Sequence, residues 1–361
     1  MTTASRTAAV TGVPEGGTPT RRTADRARRY WLAGWLVVLA VVLIFVPNIL
    51  PAAQVPVAHQ TLLAIPSAVA LTLVMGVAGQ VSLATSALLA AGAFSVGLLA
   101  GHLSSIGLVT NMVIAAAVGF VLGILVGLPS VRIRGLYLLL ATLAFQSIMT
   151  FVTQRIQSDT IGPQGYVIGT PKIPFTDIVI NSARQWYFTL LIYATLVVIA
   201  CVLIVRSNIG RAWRATRRDE LTATSLGVDV RAAKLSAFAI SSAIIAMTGA
   251  LAAYYQSIVT YDAFTLPIAI QYVAMIIVGG LGSIAGATLG AILLTILPYA
   301  LTTIVHAITP NTNIVFNLEL IIYGIAIIFF LRVAPGGLAG LVRRGVDLVT
   351  GLYGRLRRRS A

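Results

Sequence analysis

Residues 206–234 read RSNIGRAWRATRRDELTATSLGVDVRAAK, a charged stretch set between the apolar runs 186–205 and 235–256. Each flanking run has about 20 residues, the length an α-helix needs to cross the hydrocarbon core of a bilayer. Between them stand Arg206, Arg211, Arg214, Arg217, Arg218, Arg231 and Lys234. Basic loops stay on the cytoplasmic side, so the stretch predicts both a helical membrane protein and its orientation. Arg211 to Leu226 contains no Pro or Gly, and its pattern predicts one short amphipathic helix. Ala212, Ala215, Leu221 and Leu226 form the packing side; Arg214, Arg217, Arg218, Asp219 and Glu220 form the polar side. Gly227 stands where a helix-stopping residue is needed. Two readings fit this pattern: a helix that docks on a cytoplasmic partner, or a solvated connector whose arginines rest among lipid headgroups.

Outward from this loop, further apolar runs fall at 31–50, 60–77, 82–101, 108–128, 137–153, 267–281, 284–305 and 314–331, making ten with the flanking pair. The 267–281 run is short and glycine-ended, so it either spans or forms a broken, re-entrant helix. Composition agrees: of 361 residues 58% are apolar and 10% charged, where a soluble domain carries about 25% charged. A soluble enzyme is excluded. A disulfide scaffold is excluded too, because Cys201 is the single cysteine. The expected fold class is all-α, a polytopic helical membrane protein of about ten transmembrane helices. With ten spans both termini share a side. Placing them in the cytoplasm puts 22 of the 25 Lys and Arg residues there and leaves only Arg155, Lys172 and Arg184 outside. Dropping one span would invert everything after it. The net charge of +15 therefore belongs to the membrane surface and calls for no nucleic-acid partner. The resulting organisation is a disordered basic cytoplasmic arm at 1–30, helices one to six at 31–205, the loop at 206–234, helices seven to ten at 235–331, and a basic cytoplasmic tail at 332–361. The first apolar run is too long for a cleaved signal peptide and reads as a span.

The chemistry available is narrow. With only Lys172 and Lys234 as lysines, neither preceded by glycine, no phosphate-binding loop exists, so the chain does not bind ATP in that way. His59, His102 and His306 lack metal spacing and read as interfacial residues near the outer ends of spans. No catalytic, cofactor or metal residues are expected, and the protein is not expected to be an enzyme. Glu319 is the one acid within a span, which a proton-coupled carrier would use, but no second intramembrane ionisable group accompanies it, and a structural role is expected. Gly119, Gly123 and Gly127 lie four apart, as do Gly282, Gly286 and Gly290, a spacing that lets helix backbones approach. Two glycine-rich segments occur once in each half of the chain. One has Gly79, Gln80 and Ser82; the other has Gly279, Gly280, Gly282 and Ser283. They read either as gate elements on the translocation path, at the cytoplasmic side, or as tight turns.

Several blocks carry a family resemblance. They are GQVSLATSALLAAGAF (79–94), RIRGLYLLLATLAFQSI (132–148), IGPQG (161–165), the loop itself, KLSAFAISSAIIAMTGALAAYY (234–255), IIVGGLGSIAGATLGAIL (276–293) and APGGLAGL (334–341). In this order they resemble the permease subunits of ABC importers for branched-chain amino acids, the LivM-like branch. The resemblance implies that the loop couples to an ATPase through Arg211, Arg214, Arg218, Glu220, Thr222, Ala223 and Gly227. Thr222 stands where the family pattern has its first alanine, and Ala84 where the family usually has glycine. It further implies two cytoplasmic ATP-binding subunits, a second related permease forming a heterodimer, an extracytoplasmic solute-binding protein, and a place in the bacterial plasma membrane. Urea or short-chain amides are the nearest alternative solutes.

Overall fold

Within a bilayer every backbone N–H and C=O must be satisfied inside its own segment or by protein, so long apolar runs fold as helices. A computed structural model describes residues 54–308 apart from 103–106, 134, 161, 163 and 170–179, with a few separate positions between 321 and 340. Helix α1 is Val55–Thr72 and continues through a π-helical turn, Leu73–Val77. Then come α2 (Thr85–His102), α3 (Leu108–Gly127), closed by a 3-10 turn at Pro129–Val131, and α4 (Leu136–Thr160). After α5 (Ala183–Arg206) the loop forms α6 (Asn208–Arg218) and α7 (Glu220–Ser225). The chain returns in α8 (Val230–Gln256), α9 (Leu266–Gly279) and α10 (Ile284–Ile308). Strand β1 (Tyr166–Val167) pairs antiparallel with β2 (Ile258–Val259), and marks the end of the bundle away from the charged loop.

Six helices among the described residues are long and apolar enough to cross a membrane, and Thr85–Leu99 and Ile284–Ala300 are shorter apolar helices. The architecture is that of a multi-pass helical membrane protein. The arm, the tail, the 31–50 run, most of the 314–331 run and Glu319 lie outside the described residues.

Helix α1 is apolar on all sides and sits at the centre, with 89% of its span buried; the spans of α3 and α4 are buried over only 28% and 22%. A helix apolar all round belongs in a core. The outward faces of α3 and α4 present Val113, Val121 and Phe151, each at least 60% exposed, a surface suited to lipid or a neighbouring helix. Packing around α8 follows the glycine spacing. A Cβ built on Gly123 would lie 2.8 Å from Phe238 O, and one on Gly119 would lie 2.5 Å from Ser242 O. Small residues thus bring α3 and α8 into backbone contact. The second triplet behaves differently from expectation. Gly286 and Gly290 face α9, but Gly282 is not on the helix. It lies in the preceding turn at φ +87.

His59 is 2% exposed. Its ring accepts from Tyr255 Oη at Nδ1 (3.0 Å) and donates from Nε2 to Ala183 O (3.0 Å). It pins α1 to α5 and α8 instead of resting at an interface.

Candidate functional site

The loop is two helices, not the single one expected across 211–226. At Asp219 the backbone is extended (φ −161, ψ 118), and its carboxylate accepts from Leu221 N at 3.0 Å to start α7. An Asp preceding an acidic residue competes with helix continuation and favours a new N-terminus. The packing side also differs. Gly210, Trp213 and Thr216 face inward from α6 and Ala223 from α7. Trp213 is fully buried, and its Nε1–H donates to Ser236 Oγ at 3.1 Å. Leu221 and Leu226, expected to pack, are 81% and 75% exposed. The break at Asp219 resets the helical phase and turns them outward.

The other expected loop residues divide by direction. Arg211, Arg214, Arg218 and Thr222 are exposed. Arg211 donates to Asn208 Oδ1 within the first turn of α6, and Arg214 donates to Val205 O, which helps to hold α6 against the end of α5. Thr222 donates to Asp219 Oδ2 at 2.5 Å. Gly227 closes α7 at φ +81, a conformation that costs glycine little. Glu220 turns inward. Its Oε1 lies 2.8 Å from Lys234 Nζ, with the two side chains 21% and 5% exposed, and Lys234 also donates to Ser130 O at 3.1 Å. This ion pair ties α7 to α8 and to the turn after α3.

The two glycine-rich segments meet. A Cβ on Gly76 would lie 2.4 Å from Gly282 N, so the turn ending α1 rests on the turn between α9 and α10. Gly79 leaves the π turn at φ +73, and Gly280 and Gly282 take φ +114 and +87. Arg217 of α6 reaches both. Its guanidinium donates to Gly76 O, its stem lies where a Cβ on Gly79 would have to go, and Nη1 lies 3.4 Å from the position of a Cβ on Gly282. The π turn leaves Gly76 O available, since Ala78 N goes to Leu73 O and Gln80 N to Val74 O. Ser283 caps α10, its Oγ accepting from Gly286 N (3.1 Å), and Ser82 Oγ accepts from Ala84 N (3.3 Å) in the turn that leads into α2. Gly279 packs on Gly286 O.

Neither α2 nor α9 starts at the end of the bundle. Helix α4 carries a buried polar stripe, Thr142, Gln146, Thr153 and Gln157, on one face. Thr142 Oγ1 accepts from Leu83 N (3.0 Å) and Gln146 Oε1 from Ala87 N (2.7 Å). Gln146 Nε2 donates to Phe264 O (3.2 Å), and Gln157 Oε1 accepts from Tyr261 N (2.9 Å). Ser86 Oγ donates to Thr265 O at 3.0 Å. The first turns of α2 and α9 therefore meet beside Gln146, about 15 Å along α4 from Leu136 at 1.5 Å per residue. The 267–281 run is thus a short helix entered by an irregular segment, and together they cross the bundle. The stripe supplies the partners such non-helical backbone needs.

Beside α6 lies a cavity of about 120 Å³ lined in part by Gln80, Ser130, Thr216, Arg217, Glu220 and Lys234. Neither Arg217 nor Thr216, Lys234 and the α4 stripe stood among the expected site residues. One signal was available for Lys234, the single lysine at the head of an apolar run.

The family model for the permease component of branched-chain amino acid transport systems matches residues 57–331. The high-affinity branched-chain amino acid transport system permease protein LivM of Escherichia coli (strain K12) is 31% identical over 285 residues, covering 73% of this chain and 67% of that protein. Two proteins of Methanocaldococcus jannaschii also match. The probable permease LivM is 29% identical over 238 residues (64% of this chain, 68% of that protein). The probable permease LivH is 26% identical over 237 (62% and 72%). No solved structure matches the chain. The matched region takes in the central helix, both glycine-rich turns, the α4 stripe and the charged loop, and the chain belongs to the family of permease components of branched-chain amino acid transport systems.

Proposed function

We propose that the chain is the membrane-spanning subunit of an ATP-driven importer for branched-chain amino acids, with ATP hydrolysed by separate subunits that dock on α6 and α7. The observation that carries the docking is the loop's double reach. Leu221 and Leu226 stand 81% and 75% exposed, while Arg217 of the same loop holds Gly76 O at the meeting of the two glycine turns. Exposed leucines on a loop that also exposes Arg211, Arg214 and Arg218 suit a protein partner. A push on α6 reaches both turns through one side chain. Gly79, Gln80, Ser82, Gly279, Gly280, Gly282 and Ser283 then form the inner gate, and the meeting of the α2 and α9 first turns lies deeper on the path. Glu220 serves the coupling from inside, holding α7 through Lys234. The solute class is carried over from the relatives' names. A second, related permease completing the pore is supported by the match to both a LivM and a LivH protein of one organism. Cytoplasmic termini follow from the charge split.

The test is Leu221→Asp with Leu226→Asp in the assembled transporter. Burying two leucines contributes about 3–6 kcal/mol, so the double variant should lose the ATPase subunits on purification and at least about 100-fold in docking affinity, while still inserting in the membrane. Normal co-purification and leucine uptake would refute the docking.

A further inference from the structure

The cavity beside α6 holds polar groups whose hydrogen-bonding capacity the transport reading leaves unfilled. Gln80 and Thr216 are each 6% exposed. Neither the Gln80 amide oxygen and nitrogen nor the Thr216 hydroxyl has a hydrogen-bond partner among the described residues. Buried polar groups are nearly always paired, and both side chains line this one cavity. They offer a donor, an acceptor and a hydroxyl that can be either. Lys234 pairs with Glu220 in the same lining, and the Arg217 guanidinium, which donates to Gly76 O, brings a second cation to it. Val81 and Leu138 supply apolar wall in the same cavity.

Water would satisfy the hydrogen bonds but use neither the guanidinium charge nor the apolar wall. An α-amino acid with an apolar side chain uses all three. Its carboxylate suits Arg217, its ammonium suits Gln80 Oε1 and the Thr216 hydroxyl, and its side chain suits Val81 and Leu138. We propose that this cavity is an inhibitory site for the importer's own product, a free apolar α-amino acid arriving from the cytoplasm. The proposal rests on the transport reading for the solute and for the side that the loop faces. Such a ligand would bridge Gln80 of the α1–α2 segment to Thr216 and Arg217 of α6. A ligand stabilises the state whose contacts it makes, so occupancy would hold the loop on the glycine turns and slow the cycle.

The experiment uses the full assembly in proteoliposomes loaded inside with leucine, leucinamide or 4-methylpentanoate. ATP hydrolysis and initial uptake of labelled external leucine are both read. Internal leucine should reduce both about fivefold or more, the lower bound of common allosteric coupling. Leucinamide, without the carboxylate, and 4-methylpentanoate, without the ammonium, should leave both unchanged at the same concentration. Thr216→Val keeps the side chain's size and removes the hydroxyl. It should transport normally with no internal solute and need about tenfold more internal leucine for half inhibition, as expected for one lost hydrogen bond. Thr216→Ser should behave like the parent. The proposal is overturned if internal leucine leaves ATP hydrolysis unchanged, if all three solutes inhibit alike, or if Thr216→Val is inhibited like the parent. Should unloaded liposomes take up no leucine at all, the transport reading itself fails, and this inference with it.

Discussion

Removing one member of the Glu220–Lys234 pair should release the charged loop from the bundle. The Nζ–Oε1 separation is 2.8 Å, and the side chains are 5% (Lys234) and 21% (Glu220) exposed. At an effective dielectric of 20, two unit charges at this distance attract by about 6 kcal/mol. Desolvation takes back much of that, yet stranding one partner of a buried pair still costs about 3–5 kcal/mol. Glu220→Ala leaves the more deeply buried ammonium with Ser130 O and belongs near about 5 kcal/mol. Lys234→Met leaves a carboxylate that water reaches, and belongs near about 3. Combining the two leaves no stranded charge, so the double variant should cost less than the sum, with a coupling energy of about 3 kcal/mol. Denaturant unfolding of the solubilised assembly gives the energies, and trypsin cleavage after Arg218 reports release of the loop. Salt at 1 M should leave the parent's result unchanged, because screening does not reach a buried pair. Single variants that cost under about 0.5 kcal/mol, or a strictly additive double variant, would refute the reasoning.

Arg217→Gln should uncouple the glycine turns from α6, retaining ATP hydrolysis while leucine uptake falls at least about tenfold, since a hydrogen bond to a charged group contributes about 1.5–3 kcal/mol; parallel measurement of both rates checks it. Gln146→Leu orphans Ala87 N and Phe264 O and should cost about 2–6 kcal/mol of stability, read as a lowered unfolding midpoint. Gly123→Val places a side chain against Phe238 O and should cost more than the about 1–3 kcal/mol of ordinary overpacking, because backbone cannot yield as a rotamer does; yield of folded protein reports it. Reporter tags at residue 1 and at Ala361 should both read cytoplasmic, and a reporter within 155–185 should read external.

Local composition along the chain was enough to read several membrane crossings, most of the described long helices, and a charged connection between α5 and α8. Those properties follow from local composition: a run of apolar residues has one way to satisfy its backbone in lipid, and basic residues have one preferred side. The Gly119–Gly123–Gly127 face was legible for the same reason, as a four-residue spacing. Tertiary structure alone decided the rest. The sequence pattern put Leu221 and Leu226 on the packing side, and only the break at Asp219, which changes the helical phase between α6 and α7, turned them outward. Glu220 read as a surface charge until Lys234 stood 2.8 Å away across the fold. Gln146 carried no signal of its own in the sequence, yet it sits where the starts of α2 and α9 both need partners. Arg217 looked like any arginine of its loop until Gly76 and Gly282, 206 positions apart in sequence, came together beneath it. Periodicity along a chain reports which face is apolar. It carries no record of which distant backbone groups that face will meet, because that depends on how the helices pack against one another.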